Sequence, residues 1–258
     1  MKIVRTAAEL ALEGDVGLVP TMGALHDGHR ALFRAARAES ETVVASLFVN
    51  PAQFNAAADL AAYPHDEARD AEIAEAESVD VLFAPSQDEM YPPGFSTWIE
   101  VDDAGAEGAA RPGHFRGVAT VCVKLFNIVR PQRAYFGQKD AQQVGVIRSV
   151  VRDLNLPLEI RVVETVRDED GLAFSSRNVL LSAEERRLAL ALPRALAAGR
   201  KAYEARADAI SATRSSFNGL RPEYVELVEL GDATLLAAAL RVGHIRLIDN
   251  VLVKGELS

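Results

Sequence analysis

Val16-Gly17-Leu18-Val19-Pro20-Thr21-Met22-Gly23-Ala24-Leu25-His26-Asp27-Gly28-His29 joins an apolar run to a turn rich in glycine and histidine. Its apolar run at 16–19 reads as a short buried strand ending at Pro20. From Gly28 to about residue 38 the pattern turns helical, with Leu32, Phe33 and Ala36 on one face. A strand, a glycine-bearing turn and a helix make the opening of a βαβ unit. The helix start exposes backbone N–H groups and the positive end of the dipole, so the turn can take an anion. Gly23 and Gly28 let the backbone approach a ligand closely. His26 and His29 can donate hydrogen bonds to phosphate oxygens without carrying a permanent charge. Zinc fits poorly, because the sequence offers no His-Glu-x-x-His helix and no cysteine pair to complete a ligand set.

The same alternation continues outward. Residues 42–49, 79–83, 133–136 and 158–163 read as strands, and 66–77, 117–129 and 141–153 as helices. The alanine-rich tract at 56–62 reads as a loop leading into a helix. Such alternation predicts an α/β fold with a Rossmann-like parallel sheet. The strand at 43–49 is expected at the sheet edge, as a candidate for contact with a second copy. After about residue 168 the character changes. Ser182 and Glu185 form a capping box opening one long Ala/Leu/Arg helix. Helices are expected at 208–217 and 233–240, and strands at 224–230 and 245–251. The expected division is a Rossmann-like domain over 1–167 and a smaller α+β domain over 168–258, with a soft boundary between 163 and 182.

Composition narrows the class. The 258 residues carry 28 Lys+Arg against 37 Asp+Glu, a net charge of −9, which argues against a general nucleic-acid binder. The only cysteine, Cys122, excludes a disulfide framework within the chain and fits a reducing compartment; it reads as a core residue. The N-terminal residues place charge too early for a secretory signal, and no window approaches the ~20 apolar residues of a membrane span. A cytoplasmic, globular protein is the expectation. Five of the basic residues are lysine and twenty-three are arginine, so a lysine in a motif-like setting stands out.

Lys139 has such a setting. Gly137-Gln138-Lys139-Asp140 follows a predicted strand, on the side where open α/β sheets bind ligands. Its lysine can reach phosphate and its aspartate can accept from ribose hydroxyls. Ser175-Ser176-Arg177-Asn178 offers two hydroxyls and a guanidinium to a polyphosphate. Alone, a Lys-Asp pair is most often a surface ion pair and Ser-Ser-Arg-Asn a turn. Arg111, His114 and Arg116 crowd the start of a helix, either as a rim over an anionic substrate or as ornament of that helix. His65 and His244 read as surface or satisfied histidines. No P-loop, Gly-x-Gly-x-x-Gly or Gly-x-Ser-x-Gly motif is present.

Together the motifs resemble the nucleotidyltransferase superfamily. The strings PTMGALHDGH (20–29), FVNPAQF (48–54), RPGHFRGVATVCVKLFNIVRP (111–131), YFGQKDAQQ (135–143) and TVRDEDGLAFSSRN (165–178) are similar to the pantothenate synthetase family. The resemblance implies a Rossmann-like domain followed by a small C-terminal α+β lid. It implies ATP-dependent joining of (R)-pantoate to β-alanine through a pantoyl adenylate, releasing pyrophosphate and AMP, on the route to coenzyme A. It assigns ATP to Met22, Gly23, Ala24, Leu25, His26, Asp27, Gly28, His29, Gly137, Gln138, Lys139, Asp140, Val166, Phe174, Ser175, Ser176 and Arg177. Among these, His29, His26, Lys139 and Arg177 are the catalytic candidates. Gln53 is assigned to pantoate and β-alanine, and Gln143 to pantoate. Asn50 is placed behind them or towards pyrophosphate. Mg²⁺ is expected to be held mainly by ATP phosphates, with no dedicated protein metal site, no nucleic-acid or membrane partner, and a homodimeric assembly.

Asn55, His65, Ala141 and Phe174 depart from the family's usual residues, which touches the loop after 54 and the packing beside adenine. Another adenylate-forming or nucleotidyl-transferring enzyme would share His26, His29 and the Ser-Ser-Arg loop but would not need Gln53 and Gln143. A nucleotide-sensing or tRNA-binding module without catalysis is the third reading, against which the acidic charge counts.

Overall fold

The computed structural model describes residues 1–55, 57–102 and 105–257. The chain forms two compact units, one of Met1–Phe136 with Val146–Val163 and one of Gly137–Gly145 with Glu164–Ser258. Strands β1 (Lys2–Val4), β2 (Val16–Thr21), β3 (Thr42–Leu47), β4 (Val81–Phe83), β5 (Arg133–Gly137) and β6 (Glu159–Val163) build one six-stranded sheet. Its order is β1-β4-β3-β2-β5-β6. β2 pairs in parallel with both β3 and β5, and β4 in parallel with both β3 and β1. The order reverses at β2, so the switch point lies at the C-terminal ends of β2 and β5, where such sheets take ligands. Helices α1 (Asp27–Glu39), α2 (Ala57–Ala61), α3 (Glu67–Ala76), α4 (Gln87–Met90), α5 (Gly105–Ala110), α6 (His114–Val129) and α7 (Ala141–Asp153) lie between or after these strands.

The apolar stripe of α1 is buried as its spacing predicts. Leu32, Phe33 and Ala36 pack with Val19, Val43, Ala45, Leu82 and Tyr135 in one core cluster. Cys122 is buried, and burial pushes its thiol up to about 12. The alanine tract yields α2, while residue 56 lies outside the described residues. One expectation fails: the strand near 43–49 is not at an edge. β3 is hydrogen-bonded on both sides, and the edges are β1 and β6. Its unbroken run Val43-Val44-Ala45-Ser46 is buried throughout, which is the signature of an interior parallel strand.

In the second unit, α8 (Ala183–Ala189), α9 (Ala191–Glu204) and α10 (Ala209–Ser215) precede an antiparallel sheet of β7 (Pro222–Leu230), β8 (Ala233–Val242) and β9 (Ile245–Lys254). Ser182 caps α8 as expected: its Oγ accepts from Glu185 N at 3.2 Å, while its own N–H donates to Glu185 Oε2. The long helix expected there is two helices, broken at Leu190. Pro193 lacks the N–H that would bond to the Ala189 carbonyl, and its ring crowds that turn. The stretch at 233–240 is strand β8 and not a helix. Its alanines and leucines favour helix locally, yet as the central strand every one of residues 233–240 is buried, so no alternation shows. The overlooked signals are two short hairpin turns, Gly231-Asp232 and Gly243-His244, with both glycines at positive φ (61° and 57°). Among the described residues no helix is long and apolar enough to cross a membrane.

Candidate functional site

At the end of β2 the chain turns through Gly23 (φ 81°) and Ala24 (φ 53°) into α1. A Cβ on Gly23 would stand 2.7 Å from an Asp70 carboxylate oxygen and 2.8 Å from Leu47, so glycine is required by conformation and by space. Asp70, on α3 and only 2% exposed, accepts from Ala24 N and Leu25 N, both at 2.8 Å. Burial pushes its carboxyl up, and the two N–H donors work against that rise. Nothing in the charged run around it distinguishes Asp70 from its exposed neighbours, and sequence reasoning missed it.

The two histidines cap their own helix. His26 is the N-cap residue, and its Nδ1 accepts from Gly28 N at 3.1 Å. His29 Nδ1 accepts from His26 N at 3.2 Å, and the rings lie 4.1 Å apart. A backbone N–H can only donate, so each neutral imidazole carries its proton on Nε2. The expected row of open backbone donors is therefore largely consumed: the N–H groups of Ala24, Leu25, His26 and Gly28 all have partners within the fold. What the turn carries is two imidazoles whose Nδ1 atoms face its own backbone. Leu25 points into the core, and Asp27 is exposed.

A second polar cluster follows β3. Asn50, fully buried, caps the short turn Pro51–Gln53. Its Nδ2 donates to Gln53 Oε1 (2.8 Å) and to Gly117 O (3.1 Å), while its Oδ1 accepts from Tyr91 Oη (2.9 Å) and Ala52 N (3.3 Å). The Gln53 carbonyl accepts from His114 Nδ1 at 2.9 Å and from Arg111 Nη2 at 3.2 Å, and Arg111 Nη1 donates to His114 Nε2. Arg111 and His114 thus hold the turn that carries Gln53. Arg116 lies over Trp98 at 4.6 Å and pairs with Glu100 at 2.9 Å. His65 and His244 are exposed.

In the second unit, Lys139 Nζ pairs with Asp140 at 3.1 Å. The turn bearing it is tied to β9: Asn250 Nδ2 donates to the carbonyls of Gln138 (2.8 Å) and Lys139 (3.0 Å), and Gln138 Nε2 donates to Asn250 Oδ1 (2.8 Å). Arg167 grips the buried Asp249 with both nitrogens, at 2.6 and 2.9 Å. Gln143 sits half-buried in the first turn of α7. Residues 166–174 double back, with Phe174 N donating to Val166 O at 3.0 Å. Ser175 Oγ then accepts from Arg177 N at 3.3 Å, opening the turn Ser176–Leu180. Each unit thus assembles its own share of the expected residues: Met22 to His29, Asn50 and Gln53 in the first, and Gly137 to Asp140, Gln143, Val166 and Phe174 to Arg177 in the second. Among the described residues no three His, Cys, Asp or Glu side chains gather as a metal site.

The model of the pantoate-beta-alanine ligase family matches residues 1–252. Pantothenate synthetase of Roseiflexus castenholzii is 50% identical, over 98% of this chain and 100% of its own. That of Corynebacterium glutamicum is 51% identical over 92% of each. The crystal structure of pantothenate synthetase from Thermus thermophilus superimposes with a TM-score of 0.92 at 45% identity, over 99% of this chain and 100% of that one. The pantoate-beta-alanine ligase from Francisella tularensis, complexed with beta-gamma ATP and beta-alanine, gives a TM-score of 0.80 at 36% identity over 98% of each chain.

Proposed function

Because this chain belongs to the pantoate-beta-alanine ligase family, we propose that it joins pantoate to β-alanine in two steps through a pantoyl adenylate. In the first, a pantoate carboxylate oxygen attacks the α-phosphorus of ATP and pyrophosphate leaves. In the second, the amine of β-alanine attacks the acyl carbon, AMP leaves with the bonding pair, and the amine loses its proton.

The observation that carries this reading is the pair of histidines at the start of α1, whose Nδ1 atoms accept from the backbone N–H groups of Gly28 and His26. Such a ring, when neutral, has Nε2 as its protonated nitrogen, which suits it to donate to phosphate oxygens. His29 is proposed as the proton donor towards the leaving phosphate. Lys139 and Arg177 supply positive charge for the α-phosphate and pyrophosphate, where negative charge develops. Gly137 to Asp140, Val166 and Phe174 to Ser176 are proposed to hold the rest of the nucleotide. Gln53 and Gln143, being neutral, can bind pantoate oxygens without quenching the attacking carboxylate. A Mg²⁺ ion held by triphosphate oxygens and water would supply charge neutralisation when bound.

Incubation with ATP, Mg²⁺, pantoate and β-alanine tests this. AMP and pantothenate should form together, and pyrophosphate should appear from ATP and pantoate alone. ADP as product, or pyrophosphate released only when β-alanine is present, would overturn the two-step route.

A further inference from the structure

Tyr91 directly follows α4 and lies outside every motif string, yet its hydroxyl donates to Asn50 Oδ1 at 2.9 Å. The polarity of the bonds around Asn50 is forced. Gly117 O can only accept and Ala52 N can only donate, so the Asn50 amide has one orientation, with Nδ2 facing Gln53. Gln53 must then turn Oε1 towards Asn50, which leaves Nε2 as the donor end of its amide. Tyr91 supplies the shorter of the two bonds that Asn50 Oδ1 accepts. Networks of this kind in a dry interior are mutually strengthening, and the loss of one member loosens the rest.

We propose that the Tyr91 hydroxyl is a positioning group for the substrate amide of Gln53: it steadies the Asn50 amide, whose orientation Gly117 and Ala52 set, and through it holds Gln53 as a donor to an acceptor oxygen of pantoate. This inference rests on the proposed function, in which Gln53 grips pantoate. The ring of Tyr91 has a separate task. It packs against Phe95 at 5.0 Å and Trp98 at 5.8 Å, contacts that phenylalanine keeps. Tyr91→Phe therefore removes the hydroxyl alone.

The test is a double-mutant cycle read by steady-state kinetics. Tyr91→Phe should raise the KM for pantoate about three- to tenfold, the scale of one net hydrogen bond, and leave the KM for ATP within about twofold. In a Gln53→Ala background the same substitution should add nothing, because the amide it orients is gone. An equal rise in both KM values, no change in either, or an undiminished effect in the Gln53→Ala background would overturn the proposal. If Gln53→Ala itself leaves the pantoate KM unchanged, the reading of Gln53 as a pantoate residue has failed, and that result is visible before Tyr91 is altered.

Discussion

Gly117 shows how one residue's missing side chain can govern the turn proposed to hold pantoate. A Cβ there would stand 2.9 Å from Gln53 N and closer still to the Ala52 carbonyl, both of them backbone and unable to swing away. Gly117→Ala should therefore cost about 1–3 kcal/mol, as overpacking does, and raise the pantoate KM more than the ATP KM. Urea unfolding beside the two KM values measures both effects; a fully stable variant with unchanged kinetics would show that the 51–53 turn can move without consequence. Lys139, proposed to face the phosphates, gives a second prediction. Lys139→Ala should slow pyrophosphate formation without β-alanine by ~10²–10³, the usual effect of deleting one preorganised charge-stabilising group. Its reaction with supplied pantoyl adenylate should slow less, because the phosphate gains less charge in that step. Adenylation within about twofold of the parent would make Lys139 an ordinary member of its ion pair with Asp140. The side chains proposed for the site stood out in the sequence because their chemistry stands in short motifs. Asp70 and Tyr91 did not, since an aspartate inside a charged helix and a tyrosine before proline look ordinary until folding brings their partners from 46 and 41 residues away.

At the scale of elements, the turn after β5 depends on a strand more than a hundred residues later. Asn250 satisfies two carbonyls and the Gln138 amide with a single side chain. Asn250→Ala would leave those groups unpaired, at a cost of about 1–3 kcal/mol or more, and would loosen Lys139. Its pyrophosphate release should fall further than its use of supplied adenylate. Equal slowing of both steps would show that Asn250 serves stability alone. Most of the alternating strands and helices from residue 16 to 163 were legible because apolar runs and glycine or proline breaks agree there, whereas the three-residue edge strand β1 and the short helices α4 and α5 leave too little pattern to read. β8 was not, because burial on both faces erases the period-two pattern, and Ala-Leu composition then argues for the wrong element. The break between α8 and α9 was written in Pro193, whose missing N–H outweighs the helix-forming residues on either side.

At the scale of the whole molecule, arginine sets the acid limit of stability. Glu77 is the clearest case: Arg34 first, then Arg30, hold its carboxyl below the usual glutamate value of 4.5. Both arginines lie on α1, whose first turn carries His29 and whose cap is His26, so this pair of bridges ties the histidine helix to the end of α3. Glu67, held low by Arg5, acts in the same direction, as does Glu39, which burial would raise but Arg161 and Tyr135 hold down. A carboxyl lowered in the fold contributes stability that is whole above its unfolded pKa and is lost as pH falls through the folded one. Asp70 and Asp249 run the other way: burial raises both, so their ionised forms cost stability at neutral pH and protonation relieves it. Surface pairs contribute little each, so the balance turns on the partly buried bridges at Glu77. The melting temperature should therefore hold between about pH 7 and 5.5 and fall below about pH 4.5. Glu77→Gln should lower stability at neutral pH by about 1 kcal/mol, and the difference from the parent should shrink as pH falls below the usual glutamate range, where the parent's own Glu77 takes up its proton. Thermal scans of the two proteins across that range decide the matter. A gap that stays constant to the acid end would mean that the Glu77 bridges are packing contacts and that the acid sensitivity lies elsewhere.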